Sequence, residues 1–171
     1  MEELKEMIEL CNTLLEVEEY DEVIHCCDQI IKQYPDSIEA WGNRGLAMCK
    51  LEKFDKALKC YDRILKLDSS QYVYWTAKGV ALDYLDRSEE ALVCYEEAEK
   101  LNKEYAYLWE CKSVCLYNLG RFNEALEYVN RAIQLLSNDP YLWEQKRDTL
   151  LELGRKEEAE VCDKKIKELD N

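Results

Sequence analysis

The chain has little of what catalytic sites are usually built from. It contains one histidine, His25, two prolines and five glycines. With a single histidine, the commonest general acid–base group is nearly absent. There is no glycine-rich phosphate loop and no nucleophile elbow. Adjacent acids such as Glu89-Glu90 and Glu96-Glu97 point in different directions on a helix, not at one shared proton. Scarce breakers argue against many short strands joined by turns and favour helices. No apolar run approaches the roughly 18–20 residues of a membrane span. The start, Met1-Glu2-Glu3-Leu4-Lys5-Glu6, is acidic and lacks the cationic opening of a secretory signal. The expectation is a cytoplasmic protein that is not an enzyme and carries no cofactor.

Positive charge is also scarce. Lys and Arg number 23 against 37 Asp and Glu, a net charge of −14. Binding to nucleic acid or to an anionic membrane draws on cations that neutralise phosphates, so neither suits this chain. A basic or mixed-charge protein partner does. The nine cysteines are an odd number without a secretory signal, which points to reduced thiols and not to a disulfide framework.

What the chain has is a period. Apolar and aromatic residues make up 47% of it, enough for a core, and its four tryptophans are Trp41, Trp75, Trp109 and Trp143, each 34 residues after the last. Units of that length, with the tryptophan fourth, begin at Leu4, Ile38, Tyr72, Ala106 and Pro140. The eighth place holds Gly45 and Gly79, then Ser113. The twentieth holds Val23, Ala57, Ala91, Ala125 and Ala159, and the twenty-fourth holds Tyr61 and Tyr95, then Val129.

Within a unit, Trp41, Gly45, Met48 and Leu51 fall on one helical face, as do Phe54, Ala57, Leu58, Tyr61, Ile64 and Leu65. Glu52-Lys53 lies between as a turn. Small residues at the eighth and twentieth places let two antiparallel helices approach closely. Asp36-Ser37-x-Glu39 supplies an N-cap, Asn138-Asp139-Pro140 an acceptor before a first-position proline, and Ser88-Glu89-Glu90 opens a second helix. Gly120 and Gly154 stand where a first helix must stop in left-handed backbone. A tryptophan enclosed between units would contribute up to about 4–6 kcal/mol.

The pattern Trp41-x3-Gly45…Ala57-x3-Tyr61, repeated as Trp75-x3-Gly79…Ala91-x3-Tyr95, resembles the tetratricopeptide repeat and covers nearly the whole chain. The family's late proline survives only as Pro35; Ser69, Lys103, Ser137 and Asn171 replace it. Arg44 and Lys78 replace the leucine before the glycine. The resemblance implies an all-α, right-handed superhelical solenoid of antiparallel helix pairs. It would form a single domain over residues 1–171, with repeats at about 4–37, 38–71, 72–105, 106–139 and 140–171. The end units depart from the pattern. Met7 and Cys11 stand for tryptophan and glycine in the first, and Arg147 and Asp163 for glycine and tyrosine in the last. Terminal units with a polar face serve as caps. A runner-up reading takes the charged end, Lys156–Asn171, as the lead into a further tail.

The resemblance also implies a protein-interaction scaffold whose first helices line a concave groove, with contacts from places 2, 5, 6, 9, 12 and 13. Carried over, these places include Asn12, Gly42, Asn43, Thr76, Asp83, Tyr84, Tyr107, Glu110, Cys111, Val114, Tyr117, Asn118, Tyr141, Glu144, Gln145 and Asp148. Tyr84, Tyr107, Tyr117 and Tyr141 gather in the second half among Asp83, Glu110, Glu144 and Asp148. That mixture suits a peptide or helix bearing apolar and basic residues, or the tyrosines simply pack between first helices. Chaperone-binding relatives grip a carboxylate with cations and asparagines. Asn12 and Asn43 hold the asparagine places, but Ile8, Val73 and Ala77 hold the basic ones, which argues against that ligand.

Cys26, Cys60, Cys94 and Cys162 share the twenty-third place, one stacking step apart, too far for one zinc; they are expected to pack beside the helix contact. Cys111 and Cys115 share a helix face without histidines. Self-association, and regulation through a thiol, remain the alternative functions.

Overall fold

The computed structural model describes residues 2–169; Met1, Asp170 and Asn171, the last a proline-place residue, lie outside them. Among the described residues ten helices follow in order: α1 (Glu2–Glu16), α2 (Tyr20–Gln33), α3 (Ile38–Lys50), α4 (Phe54–Leu67), α5 (Tyr72–Asp83), α6 (Ser88–Leu101), α7 (Ala106–Asn118), α8 (Phe122–Leu135), α9 (Pro140–Glu152) and α10 (Lys156–Leu169). Each 34-residue unit is therefore a helix pair, as its two apolar stripes require. None of these helices is long and apolar enough to cross a membrane. The chain falls into two compact units, residues 1–97 and 98–171.

The helix ends follow local chemistry. Ser37 caps α3 by accepting from the Ala40 N–H at 3.3 Å. Asp139 caps α9 by accepting from the Tyr141 N–H at 3.0 Å, with Pro140 first in the helix. First helices end in left-handed backbone at Gly120 (φ +72°) and Gly154 (φ +71°), as expected. The same place in the three earlier units is left-handed too, but is filled by Glu18 (φ 62°), Glu52 (φ 56°) and Asp86 (φ 57°). The repeat imposes the geometry whether or not a glycine is present.

In the first unit, the eighth and twenty-fourth places meet across each helix pair. Tyr61 is 3% exposed, and a Cβ on Gly45 would lie 2.6 Å from its ring. Tyr95, 1% exposed, covers Gly79 in the same way. The N-terminal pair uses Cys11 and Cys27, both fully buried with sulfurs 3.8 Å apart. In the second unit, the smaller Ser113 and Val129 hold these places and are both buried, while α9 and α10 use the Arg147–Asp163 ion pair at 3.6 Å. The expected packing role of Cys26, Cys60, Cys94 and Cys162 agrees with the burial of all four thiols.

The tryptophans correct one expectation. Trp109 is enclosed at 3% exposure, but Trp41, Trp75 and Trp143 are half-buried. Each instead ties down the loop before its helix. The indole N–H groups donate to the carbonyls of Pro35, Ser69, Lys103 and Ser137, at 2.9, 2.9, 2.9 and 2.8 Å. An indole with one apolar face and one wet edge suits a half-buried position. The cations that replace the family leucine also find a use. Arg44 lies over Trp41 at 5.9 Å and pairs with Asp28 at 2.7 Å; Lys78 lies over Trp75 at 5.6 Å and pairs with Asp62 at 2.6 Å. In the second unit Lys112, buried to 5% exposure, is held by Glu99 at 2.8 Å and the Tyr128 ring at 4.3 Å.

Candidate groove site

Within residues 98–171, α7 and α9 are the first helices of consecutive repeats. Their exposed faces bound a cleft of about 220 Å³ lined by Ser113, Val114 and Tyr117 of α7 and by Tyr141, Glu144, Gln145, Asp148 and Thr149 of α9. The α9 residues recur at helical spacing, so one face is presented continuously. The Asp139 cap and the Gly154 stop fix where that face begins and ends. Six of the expected groove residues therefore meet: Val114, Tyr117, Tyr141, Glu144, Gln145 and Asp148. Sequence reasoning missed Ser113 and Thr149. Both are polar yet 1% exposed, and the Thr149 hydroxyl donates to the Gln145 main-chain carbonyl at 2.7 Å. Their only trace in the sequence is a polar residue at a core place.

The cleft is an aromatic and acidic surface. Tyr141 is 51% exposed. Tyr117 packs edge-on against Phe122, with centroids 5.3 Å apart, and its hydroxyl reaches Glu152 at 3.5 Å. Desolvation, then the negative charges of Glu152 and Asp148, push the Tyr117 phenol above its ordinary pKa. Asp148 shares one oxygen with the Arg147 guanidinium at 2.8 Å. Glu144 is exposed, and its negative charge helps, after those of Asp148 and Asp163, to raise the pKa of the Arg147 guanidinium. Glu110, one turn before Val114, is half-buried; burial, then the Asp139 charge, hold its carboxyl above the usual carboxylate range.

Gln145 differs from its neighbours. Neither its amide nitrogen nor its amide oxygen has a hydrogen-bond partner among the described residues, although both are buried. A buried amide left unpaired costs folding free energy on the order of 1–3 kcal/mol.

The other expected residues are placed as follows. In residues 98–171, Tyr107 is 44% exposed with its ring edge-on to Tyr105 at 6.0 Å, and burial followed by Cys111 raises its phenol pKa. Asn118 is exposed at the end of α7. In residues 1–97, Asn43 donates to Asn12 at 2.7 Å, so the two asparagines satisfy each other. Tyr84 is 68% exposed and stacked on Phe54 at 4.7 Å, and Asp83 accepts from the Tyr95 hydroxyl at 2.8 Å. Three carried-over places are not open to a ligand. Gly42 lies beneath the Tyr74 hydroxyl, Thr76 is fully buried with its hydroxyl on the Tyr72 carbonyl at 3.1 Å, and Cys111 is 9% exposed.

His25 is exposed, with its Nε2 2.9 Å from the side-chain amide nitrogen of Gln29. Among the described residues no three His, Cys, Asp or Glu side chains are placed to hold a metal ion.

Comparison with known proteins agrees with this architecture. Two tetratricopeptide-repeat family models match residues 38–71 and 76–140, together more than half of the chain. No curated protein matches. Among solved structures, a MamA protein aligns with TM-score 0.83 at 18% identity, covering 99% of this chain and 93% of its own. MamA from Desulfovibrio magneticus RS-1, from residue 41 to its end, aligns with TM-score 0.87 at 15% identity, covering 99% and 96%. YrrB, described as a TPR protein with an unusual peptide-binding site, aligns with TM-score 0.74 at 18% identity, covering 95% and 84%. At these identities the likeness is one of fold. With the two family models covering residues 38–71 and 76–140, and a helix pair in every 34-residue unit, the chain belongs to the tetratricopeptide-repeat family.

Proposed function

We propose that the chain is a protein-interaction scaffold that takes a segment of another protein, bearing apolar and basic residues, into the cleft between α7 and α9. Family membership supports the scaffold role, and a peptide-binding protein of the same fold is consistent with it. The observation that carries the reading is the convergence of Tyr117, Tyr141, Glu144, Gln145 and Asp148 on one cleft. Exposed tyrosines offer large apolar bodies with a polar tip, the side chains that most often dominate binding energy. The acids beside them favour a cationic neighbour, and a net charge of −14 speeds encounter with a basic partner. Nothing in the site supplies a nucleophile with a base, so binding alone is its chemistry. Nine free cysteines, eight of them buried, fit a reducing cytoplasmic setting.

The test is a paired capture from native lysate. The wild type and a Tyr117→Ala/Tyr141→Ala variant, each shown to be folded by circular dichroism, serve as baits, and bound proteins are identified by mass spectrometry. The expected result is a partner retained by the wild type and lost from the variant. Equal retention by both baits would move binding away from this cleft. No retained partner, together with a concentration-dependent mass, would favour self-association.

A further inference from the structure

The N-terminal helix pair gathers three thiols around one contact. Cys11 of α1 and Cys27 of α2 are fully buried, with their sulfurs 3.8 Å apart. Cys26, 8% exposed, donates its thiol to the Met7 carbonyl at 3.6 Å, one helical turn before Cys11. In the next two repeats the corresponding contact is a tyrosine ring over a glycine, Tyr61 on Gly45 and Tyr95 on Gly79. A thiol is a small hydrophobe and makes a weaker clasp than a buried ring. Two facing thiols add a chemistry that a ring and a glycine lack.

Their geometry selects one bond. The Cys11 and Cys27 sulfurs need to close by roughly 1.8 Å, which side-chain torsions supply between helices that already touch at these places. Cys26 and Cys27 are consecutive on a helix, so their side chains point about 100° apart and do not face each other. Cys11 is the partner they share, and the Cys26 sulfur is turned to the Met7 carbonyl. In the closed pair the thiols are inert. Burial pushes the Cys27 thiol up to about 12 and raises the Cys11 thiol as well, whereas the attacking species is the thiolate. Reaction therefore passes through local opening of α1. That helix packs on α2 and α3, carries Leu10 at 55% exposure, and is followed by Val17 at 60%.

We propose that Cys11 and Cys27 form a redox latch, in which exchange with a low-molecular-weight disulfide joins their sulfurs and pins α1 to α2. One thiolate attacks the small disulfide, forms a mixed disulfide and releases half of it as a thiol. The second thiolate attacks the protein sulfur of the mixed disulfide, forms the Cys11–Cys27 bond and releases the other half. The two cysteines lose two electrons and two protons, and the small disulfide gains both as it becomes two thiols. In a reducing setting the clasp is packing alone. As small disulfides accumulate it becomes covalent. Asn12, beside Cys11, accepts from Asn43 of α3 at 2.7 Å, so fixing α1 also fixes this bridge between the first and second repeats. The latch is independent of the cleft between α7 and α9.

The test uses the whole chain in glutathione buffers of graded ratio. Acid quenching, alkylation and non-reducing digestion, read by mass spectrometry, are expected to find a Cys11–Cys27 link. It should grow with the oxidised fraction and be reversed by dithiothreitol. Hydrogen exchange in α1 should slow by about 100-fold on oxidation, the effect of closing a loop of this length. Cys27→Ala should abolish both the link and the slowing, while Cys26→Ala should leave both in place. If Cys27→Ala does not fold, the link map and the exchange of the wild type decide alone.

A link from Cys11 to Cys26, or mixed disulfides with glutathione that never resolve, would overturn the inference. So would thiols that stay reduced in the most oxidising buffer. A Cys11–Cys27 link that leaves α1 exchanging as fast as in the reduced protein would also overturn it, because the bond would then pin nothing.

Discussion

Replacing Gly45 and Tyr61 by the pair used in the fourth repeat tests the central packing rule of the fold. The perturbation is Gly45→Ser, Tyr61→Val and the double variant, which together recreate Ser113 and Val129. Gly45→Ser alone places a Cβ 2.6 Å from the Tyr61 ring, itself 3% exposed and unable to swing into solvent. Overpacking of this kind costs about 1–3 kcal/mol. The higher helix propensity of serine offsets about 0.5 kcal/mol. Tyr61→Val removes a buried ring and a 3.5 Å contact of its hydroxyl with Cys49, leaving a cavity worth about 3 kcal/mol. In the double variant the serine enters the space the ring has left. The cost should then fall short of the sum of the single costs by about 1–3 kcal/mol. Urea unfolding measures all four proteins, with far-ultraviolet circular dichroism and tryptophan fluorescence followed together, because repeat arrays can unfold in parts. Single-variant costs that add to within about 0.5 kcal/mol in the double variant would refute the reasoning. The eighth and twenty-fourth places would then be independent, and the changed pair in the fourth repeat would not be a compensation.

Two further outcomes follow from the backbone and the thiols. Glu52 is exposed and left-handed, so Glu52→Gly should raise the melting temperature by the equivalent of about 0.5–1 kcal/mol, while Gly120→Ala should lower it by about 1 kcal/mol through strain alone, since a Cβ there meets nothing within 4 Å. A fall in stability for Glu52→Gly would show that the repeat does not strain that place. Burial pushes the Cys27 thiol up to about 12 and the Cys94 thiol up to about 11, from 9.0. Below pH 9 the thiols are protonated in both folded and unfolded chains and contribute no slope. Between about 9 and 12 the folded state holds protons that the unfolded state releases, so the urea midpoint under reductant should fall as pH rises. A midpoint independent of pH up to 11 would contradict the burial of these thiols.

The fold was legible because the repeat writes the same instruction five times. Four tryptophans on one period fix the register, and the two apolar stripes per period fix the helix pairs. What was hidden is pairwise. Cys11 makes sense in place of glycine only once Cys27 is found opposite it, and Arg147 only once Asp163 is found at 3.6 Å. Left-handed backbone at Glu18, Glu52 and Asp86 could be read only by carrying Gly120 and Gly154 back through the register, since nothing in an acidic residue announces it. Part of the groove was legible for the same reason, because places on one face of a first helix stay on that face. It failed at Gly42, Thr76 and Cys111, because openness at a groove place depends on what stands on the neighbouring helix, and the repeat does not fix that. At Gly42 the Tyr74 hydroxyl covers the backbone.

The distinction between paired and unpaired departures separates fold from function in this chain. At the eighth and twenty-fourth places a change on one helix is met by a change on its partner, whether sulfur against sulfur, glycine beneath a ring, or guanidinium against carboxylate. Asn43, at the same repeat place as Gln145, is likewise met by Asn12 at 2.7 Å. Among the described residues Gln145 is met by nothing at either end of its amide. Such a group costs stability without returning any, and replacing it by an apolar residue of similar size would relieve the fold. Its place on the wall of the cleft beside Tyr117 and Tyr141 puts that cost where the proposed partner segment would enter.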